Sequence, residues 1–233
     1  MRTIGIIGGM SWESSALYYQ WINRAVRDRR GPLHSARLLL DNLDFSQVAQ
    51  WQRDGDWDTA AQALAASARR LEAGGAECIV LATNTMHKVA DAVMHATRLP
   101  FIHIADPTGE AIRRRDMNNV LLLGTAFTMN EGFYRSRLLA KYGVHCLLPS
   151  EQDRAEVHRI IYDELCTGVI SDASQVIYRG IVAKAHADGA QGVILGCTEI
   201  GLLLRQEDSP VLLFDTAALH AAAAVDFALG DAA

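Results

Sequence analysis

The chain has 233 residues, of which 50% are hydrophobic and 21% are charged, and its formal net charge is −5. This balance is typical of a soluble globular protein that buries a sizeable core, and it excludes a disordered or fibrous chain. The negative net charge argues against nucleic acid as a partner. The basic run Arg113, Arg114 and Arg115 ends a helical pattern and is interpreted as a solvated helix end.

Apolar runs in the sequence are short, which argues against a signal peptide, a membrane-spanning helix and any membrane partner. We therefore expect a cytoplasmic protein. Four cysteines are widely spaced and form no C-x-x-C pair, so the sequence indicates reduced thiols rather than a zinc cluster or a disulfide framework. They are Cys78, Cys146, Cys166 and Cys197.

Short runs rich in Ile, Val and Leu alternate along the chain with longer amphipathic stretches, and this pattern predicts an α/β fold with parallel strands. The predicted strands are 3–7, 37–43, 78–82, 101–104, 119–123, 145–148, 192–195 and 211–214. Predicted helical segments include 58–73, 131–141, 153–165 and 173–188.

An internal repeat relates the two halves of the chain. Residues 75–83 align with 189–197 at an offset of 114, the distance from Thr83 to Cys197, and residues 7–9 align with 123–125 at an offset of 116. Two similar parallel-sheet α/β halves, related by a pseudo-twofold axis, are therefore predicted.

The repeat also sets the expected domain boundaries. We expect a first domain over residues 1–98 and 208–233, and a second over 99–207. Ligands bind beyond the carboxyl ends of the strands in open parallel sheets, so the active site is expected in the cleft between the halves, with Thr83 opposite Cys197. The alternative is that the repeat only preserves a fold.

Cys197 follows a predicted strand and precedes Thr198 and Glu199, where a helix is expected to start. Exposed backbone N–H groups and a helix dipole can lower the pKa of a cysteine, so this position favours a thiolate. A lone cysteine is more often a small core residue. Its polar neighbours and its alignment with Thr83 favour a base or nucleophile instead.

The turn that matches Cys197 in the first half contains Thr83, Asn84 and Thr85, followed by Met86 and His87. Hydroxyl, amide and backbone donors of this kind suit an α-carboxylate bound at a helix N-terminus. Helix capping is the alternative for Asn84 and Thr85. For His87 we favour a structural or surface role.

Two further turns follow predicted strands. The first, Gly8-Gly9-Met10-Ser11, lacks the G-x-G-x-x-G order of a dinucleotide site, and no G-x-x-x-x-G-K-[ST] occurs in the chain. Backbone approach to a small carboxylate fits this turn better. Its counterpart in the second half carries Thr125 and Thr128.

These turns together resemble the aspartate/glutamate racemase superfamily over essentially the whole chain. The motifs that carry the resemblance are Gly8-Gly9-Met10-Ser11, Asn84-Thr85-Met86-His87, Gly124-Thr125 with Thr128, and Gly196-Cys197-Thr198-Glu199. They are similar to the aspartate racemase branch, and especially to its enterobacterial-type aspartate/glutamate racemases. Cell-wall glutamate racemases have Asp-Ser-Gly in the first turn and Cys-Thr-His-Tyr in the last.

The resemblance implies a homodimeric isomerase that racemises a small amino acid without any cofactor, PLP or metal. It implies Cys197 and Thr83 as the catalytic pair. The substrate contacts that it implies are Met10, Gln52, Arg53, Asn84, Thr85, Thr125, Thr128, Thr198 and Glu199. By charge alone, Gln52 and Arg53 could clamp a side-chain carboxylate, or they could form a polar loop beside acidic neighbours.

Thr83 departs from the family pattern, because most members carry a catalytic cysteine there. A hydroxyl is a far weaker acid than a thiol, so equal turnover in both directions is not expected. In related enzymes the second-half cysteine acts on the L-enantiomer, and we therefore predict that Cys197 removes the proton of an L-amino acid while Thr83 donates poorly. Many relatives also have a lysine near Cys166, which this chain lacks.

Two other functions remain open at this point. One is a different single-thiol reaction of the superfamily, such as isomerisation of an unsaturated diacid or decarboxylation of a malonate. The other is a non-catalytic amino-acid-binding protein that retains the cleft but has lost one base.

Overall fold

A computed structural model of the chain describes residues 1–230, which divide into two compact units. Unit 1 contains residues 1–104 and the segment that begins at His220, and unit 2 contains residues 105–219. Each unit has its own sheet. Residues 231–233, which the sequence assigned to the first domain, lie outside the described residues.

Every predicted strand has an observed counterpart. The strands are β1 (Ile4–Gly8), β2 (Leu38–Asn42), β3 (Cys78–Leu81), β4 (Phe101–Ile102), β5 (Asn119–Gly124), β6 (His145–Leu147), β7 (Gly192–Gly196) and β8 (Leu212–Asp215). In β1, β3 and β7 every residue is buried, as expected for strands that helices cover on both faces.

Helices form the crossovers between these strands, and the last helix follows β8. They are α1 (Trp12–Arg30), α2 (Phe45–Asp54), α3 (Trp57–Ala73), α4 (Ala90–Ala96), α5 (Ala105–Arg113), α6 (Ala126–Asn130), α7 (Gly132–Tyr142), α8 (Glu151–Asp163), α9 (Asp172–Ala187), α10 (Ile200–Leu203) and α11 (Thr216–Leu229). Within the described residues, three 3₁₀ helices cover Thr85–Val89, Leu165–Thr167 and Gln206–Asp208. Across residues 1–230, no helix is both long enough and apolar enough to cross a membrane.

The two sheets have the same topology. Their strand orders are β2-β1-β3-β4 and β6-β5-β7-β8, and all the pairs are parallel. The second order repeats the first with each strand number raised by four. This confirms the predicted α/β class and the predicted similarity of the two halves.

The domain junctions lie further along the chain than the sequence suggested. Strand β4 pairs with β3 in the first sheet, and β8 pairs with β7 in the second. Packing therefore divides the chain after Ile104 and after Leu219. Each boundary lies one strand later than predicted, because the fourth strand of each sheet belongs to the same unit as the other three.

Each sheet has a switch point at which successive crossovers leave in opposite directions. In the first sheet it lies between β1 and β3, where Ile7 is in register with Leu81. In the second it lies between β5 and β7, where Gly124 is in register with Gly196. The polar turns named above follow these four strands, at the place where doubly wound sheets bind ligands.

Candidate active site

In unit 1, the turn after β1 lies beside the turn after β3, because the Ala82 N–H donates to Ile7 O at 2.9 Å. Gly9 has a φ of 87°, and a Cβ at this position would lie 2.1 Å from Leu43 O. Only glycine fits such a backbone without displacing its neighbour. Gly9 therefore lets the turn after β1 lie close to the end of β2.

Ser11 and Ser15 hold the start of α1. Ser11 caps the helix, with its Oγ accepting from the Ser14 N–H at 3.2 Å, and Ser15 Oγ accepts from the Gly9 N–H at 2.8 Å. The Met10 side chain is buried in the core of unit 1. Met10 would therefore contact a ligand mainly through its backbone.

Thr83 is partly exposed, whereas Asn84 and Thr85 are buried. The turn is held by a bond from the Thr83 N–H to Leu81 O at 2.8 Å. A 3₁₀ helix begins at Thr85, so the expected helix is present but its first turn is tighter than an α-helix. The Thr83 hydroxyl thus lies at the strand end in the first sheet.

Gln52 and Arg53 do not converge in this structure. Gln52 is buried, and its Nε2 donates to Met86 Sδ at 3.1 Å. Arg53 is exposed, and its Nη2 donates to Gln50 Oε1 at 2.6 Å. Adjacent residues on α2 point in directions about 100° apart, so the two side chains reach different surroundings. Only Gln52 packs against the helix that follows Thr83.

In unit 2, Thr125 and Thr128 form the turn after β5. Thr125 Oγ1 accepts from the Thr128 N–H at 3.3 Å and lies 3.2 Å from Thr128 Oγ1. The Ala126 N–H donates to His158 Nδ1 at 3.2 Å, and burial lowers the pKa of His158. This turn therefore places two hydroxyl groups near a neutral imidazole.

Cys197 follows β7 and is partly exposed. Its thiol donates to Glu199 Oε2 at 2.9 Å, and Glu199 and Thr198 are both buried. Burial, the Glu199 carboxylate and the nearby Cys166 raise the pKa of Cys197 well above its ordinary value. The thiol therefore keeps its proton and donates it in a hydrogen bond to the carboxylate.

The surroundings of Cys197 disfavour the thiolate that the sequence predicted. Helix α10 has only four residues and starts three residues after Cys197, so its dipole at the sulfur is weak. Burial and a neighbouring negative charge both disfavour the anion, and they dominate here.

The remaining cysteines lie in other surroundings. Cys78 in β3 is fully buried, and burial raises its pKa to about 12, as it does for the partly buried Cys146 in β6. Cys78 is therefore a core residue of unit 1, whereas Cys146 is half-buried in unit 2. Cys166 lies in the 3₁₀ helix Leu165–Thr167, close enough to Cys197 to contribute to the raised pKa of that thiol.

The sequence model of the Asp/Glu/Hydantoin racemase family matches residues 7–224, which span all the turns described above. The chain belongs to this racemase family.

Solved structures that are similar to the chain include those of three racemases, candidate racemases or racemase homologues. A candidate Asp/Glu racemase from Yersinia pestis is 50% identical, with a TM-score of 0.92 over 98% of this chain and 100% of that one. An aspartate racemase homologue from Pyrococcus horikoshii OT3 is 34% identical, with a TM-score of 0.85 over 98% and 100%. The aspartate racemase of Picrophilus torridus is 20% identical, with a TM-score of 0.77 over 98% and 94%, and shows a shared fold.

The sequence patterns did not point to one acidic residue near the turn that carries Cys197. Asp215 ends β8, and its Oδ1 accepts from the Ala217 and Ala218 N–H groups, both at 3.0 Å. Burial raises the pKa of Asp215, and the charge of Glu199 adds to this shift. The sequence signal for Asp215 is an acidic residue between a strand and the helix that follows it. Cys197 was identified by the same reasoning, because ligands bind beyond the carboxyl ends of parallel strands.

Proposed function

We propose that this chain is a cofactor-independent amino-acid racemase that acts on aspartate, glutamate or a related small polar amino acid. Membership of the Asp/Glu/Hydantoin racemase family supports racemase-type chemistry. The hydrogen bond from Cys197 to Glu199 is the observation that carries the proposal, because it pairs a thiol with a proton acceptor at a strand end.

The proposed step begins with proton transfer from Cys197 to Glu199. The raised pKa of the thiol makes this transfer unfavourable in the free protein, and the positive α-ammonium of a bound amino acid would favour the resulting thiolate. The thiolate then takes the α-proton of the L-enantiomer and leaves a carbanion. Cys197 is again a thiol at the end of this step.

Inversion requires a proton on the opposite face of the α-carbon, and we assign this role to Thr83. Its hydroxyl is partly exposed at the strand end that corresponds to Cys197 in the other sheet. Because a hydroxyl donates a proton less readily than a thiol, either directly or through water, reprotonation is the slow step. The cycle closes when Glu199 releases its extra proton to solvent and the Thr83 alkoxide takes one from water. Reprotonation of the same face by Cys197, after its thiol has exchanged with solvent, competes with inversion and gives α-proton exchange without inversion.

The remaining residues bind and orient the substrate in this proposal. Backbone N–H groups near Met10 and Asn84 suit the α-carboxylate, and the Thr125 and Thr128 hydroxyls suit polar substrate groups. Thr85, Gln52 and Thr198 complete the buried polar set. Arg53 supplies a cation for a side-chain carboxylate in this proposal, with its exposed guanidinium also donating to Gln50 Oε1.

Turnover by the wild-type protein tests the proposal. Purified protein, treated with a chelator and with hydroxylamine, is incubated with both enantiomers of aspartate and glutamate in deuterated water. We expect α-deuteration of the L-enantiomers and slower formation of the D-enantiomers. Turnover of an unsaturated diacid or a malonate instead would indicate another single-thiol reaction. Thermal stabilisation by amino acids without exchange would indicate a binding protein.

A further inference from the structure

Three buried histidine rings pack together in unit 1, next to the turn that carries Thr83. The ring centroid of His87 lies 4.4 Å from that of His103 and 6.0 Å from that of His220. Tyr18 and Phe101 contact the same group, with centroids 5.7 Å from His220 and 5.6 Å from His87. None of these rings has a role in the proposed reaction.

His87 joins two backbone groups through its two ring nitrogens. Its Nε2 accepts from the Ile104 N–H at 3.2 Å, and its Nδ1 lies 2.7 Å from Thr83 O. An N–H donor can bond only to a ring nitrogen that carries no proton. The proton of the neutral ring is therefore on Nδ1, and this N–H donates to the Thr83 carbonyl.

His220 is the opposite tautomer. Its Nε2 lies 2.6 Å from Ile102 O and therefore donates, which leaves Nδ1 to accept from the Tyr18 hydroxyl at 2.9 Å. His220 is as deeply buried as His87 and belongs to the same cluster, but its two bonds go to other residues. Of this pair, His87 bonds to the candidate catalytic turn.

We propose that His87 is a positioning residue, whose Nδ1–H donates to the Thr83 carbonyl and thereby fixes the direction of the Thr83 hydroxyl. The chain can rotate about the Thr83 backbone if this carbonyl is released, and the hydroxyl moves with it. The inference rests on the proposed role of Thr83. It adds a function for a histidine that otherwise packs inside unit 1.

Two substitutions separate the two bonds of His87. In His87→Asn the side-chain amide nitrogen takes the place of Nδ1 and can still donate to Thr83 O. In His87→Gln the amide oxygen takes the place of Nε2, accepts from the Ile104 N–H, and leaves Thr83 O without this donor. A purely structural role predicts similar effects of both substitutions on catalysis.

The catalytic readout is the ratio of inversion to α-proton exchange. A displacement of about 1 Å in a catalytic group can cost about 100-fold. We expect His87→Gln to lower inversion by up to this factor while exchange at Cys197 changes little, and His87→Asn to keep the wild-type ratio. Equal losses of inversion and exchange in both variants would overturn the proposal.

His220→Gln is the matched control, because it places the same residue in the same cluster but alters bonds to Tyr18 and Ile102 O rather than a bond to Thr83 O. It retains a donor in the place of Nε2 and loses the acceptor for Tyr18. We expect lower stability with an unchanged ratio of inversion to exchange. A ratio as low as that of His87→Gln would show that the cluster acts only through packing.

A spectroscopic measurement tests His87 even if the proposed reaction is absent. In the wild type, the ¹⁵N shifts of His87 should show a protonated Nδ1 and an unprotonated Nε2. The ¹³C resonance of the Thr83 carbonyl should move upfield in His87→Gln and stay in place in His87→Asn. The reverse tautomer, or an unmoved resonance in a folded His87→Gln, would overturn the proposal, whereas a wild type without exchange would overturn only the proposed function.

Discussion

The Cys197 thiol donates a hydrogen bond of 2.9 Å to Glu199 Oε2, two residues further along the turn after β7. The carboxylate has two effects that act in opposite directions. It accepts the proton that Cys197 must lose before the sulfur can act as a base, and its charge makes the thiolate less stable. Glu199 therefore links the protonation of Cys197 to its proposed activity.

Glu199→Gln should lower the pKa of Cys197 and also lower the exchange rate. The substitution removes the negative charge that disfavours the thiolate, but it also removes the proton acceptor. Alkylation of the Cys197 peptide by iodoacetamide, followed by mass spectrometry across pH, measures the thiol pKa. Glu207→Gln, an exposed position in the same unit, is the control. An unchanged or raised thiol pKa in Glu199→Gln would contradict this account.

Thr83→Cys should raise the rate of inversion. A thiol is a stronger acid than a hydroxyl, and acid–base catalysis by a well-placed group contributes about 10²–10⁴-fold, so an increase of at least about tenfold is expected. Chiral chromatography of the D-product measures it. Thr83→Ser keeps the hydroxyl and should stay near the wild-type rate. The same increase in both variants would show that side-chain acidity at this position is not limiting.

Gly9→Ala should destabilise unit 1 by about 2–5 kcal/mol. The positive φ disfavours a side chain by about 1–2 kcal/mol, and the new Cβ would also overlap Leu43 O, which adds about 1–3 kcal/mol. Urea unfolding measures the loss. Gly55→Ala is the control, since its φ is 70° but nothing lies within 4 Å of the added Cβ. It should cost only about 1–2 kcal/mol, and equal losses would exclude the steric contribution.

Asp215→Asn should make the protein more stable at neutral pH. Burial raises the pKa of Asp215 above 3.8, so its contribution to stability is complete below pH 3.8 and is lost as the pH rises through the folded-state pKa. Asparagine is neutral and keeps an oxygen that can accept from Ala217 and Ala218.

Urea unfolding at pH 7 and below pH 3.8 measures this dependence on pH. The advantage of Asp215→Asn should be present at pH 7 and should disappear in acid. The exposed Asp188→Asn is the control and should show a smaller dependence. A wild type that is more stable than Asp215→Asn at pH 7 would contradict the assignment.

Local patterns in the sequence predicted the strands and the repeat, because buried parallel strands leave continuous apolar runs and duplicated halves repeat their turns. They did not predict the protonation of Cys197, which depends on burial and on the direction of the Glu199 side chain. The histidine cluster joins positions 87, 103 and 220, which are distant along the chain and meet only after folding. Sequence spacing carries no signal for such a contact.

The sequence pattern also did not predict to which sheets β4 and β8 belong. Strands β4 and β8 have the short apolar runs expected of strands, but their partners are set by the crossovers that precede them. Similarly, Gln52 and Arg53 were adjacent polar candidates, and only the helical rotation of α2 shows that one is buried and the other exposed.

The dependence of α-proton exchange on Cys197 is the most direct test of the account. L-aspartate and L-glutamate are incubated in deuterated water with the wild type, Cys197→Ser and Cys166→Ser, and α-deuterium is measured by NMR. We expect Cys197→Ser to lose about 10²–10⁴-fold of the exchange rate and Cys166→Ser to keep most of it. Exchange that persists at the wild-type rate in Cys197→Ser would contradict the proposed role of Cys197.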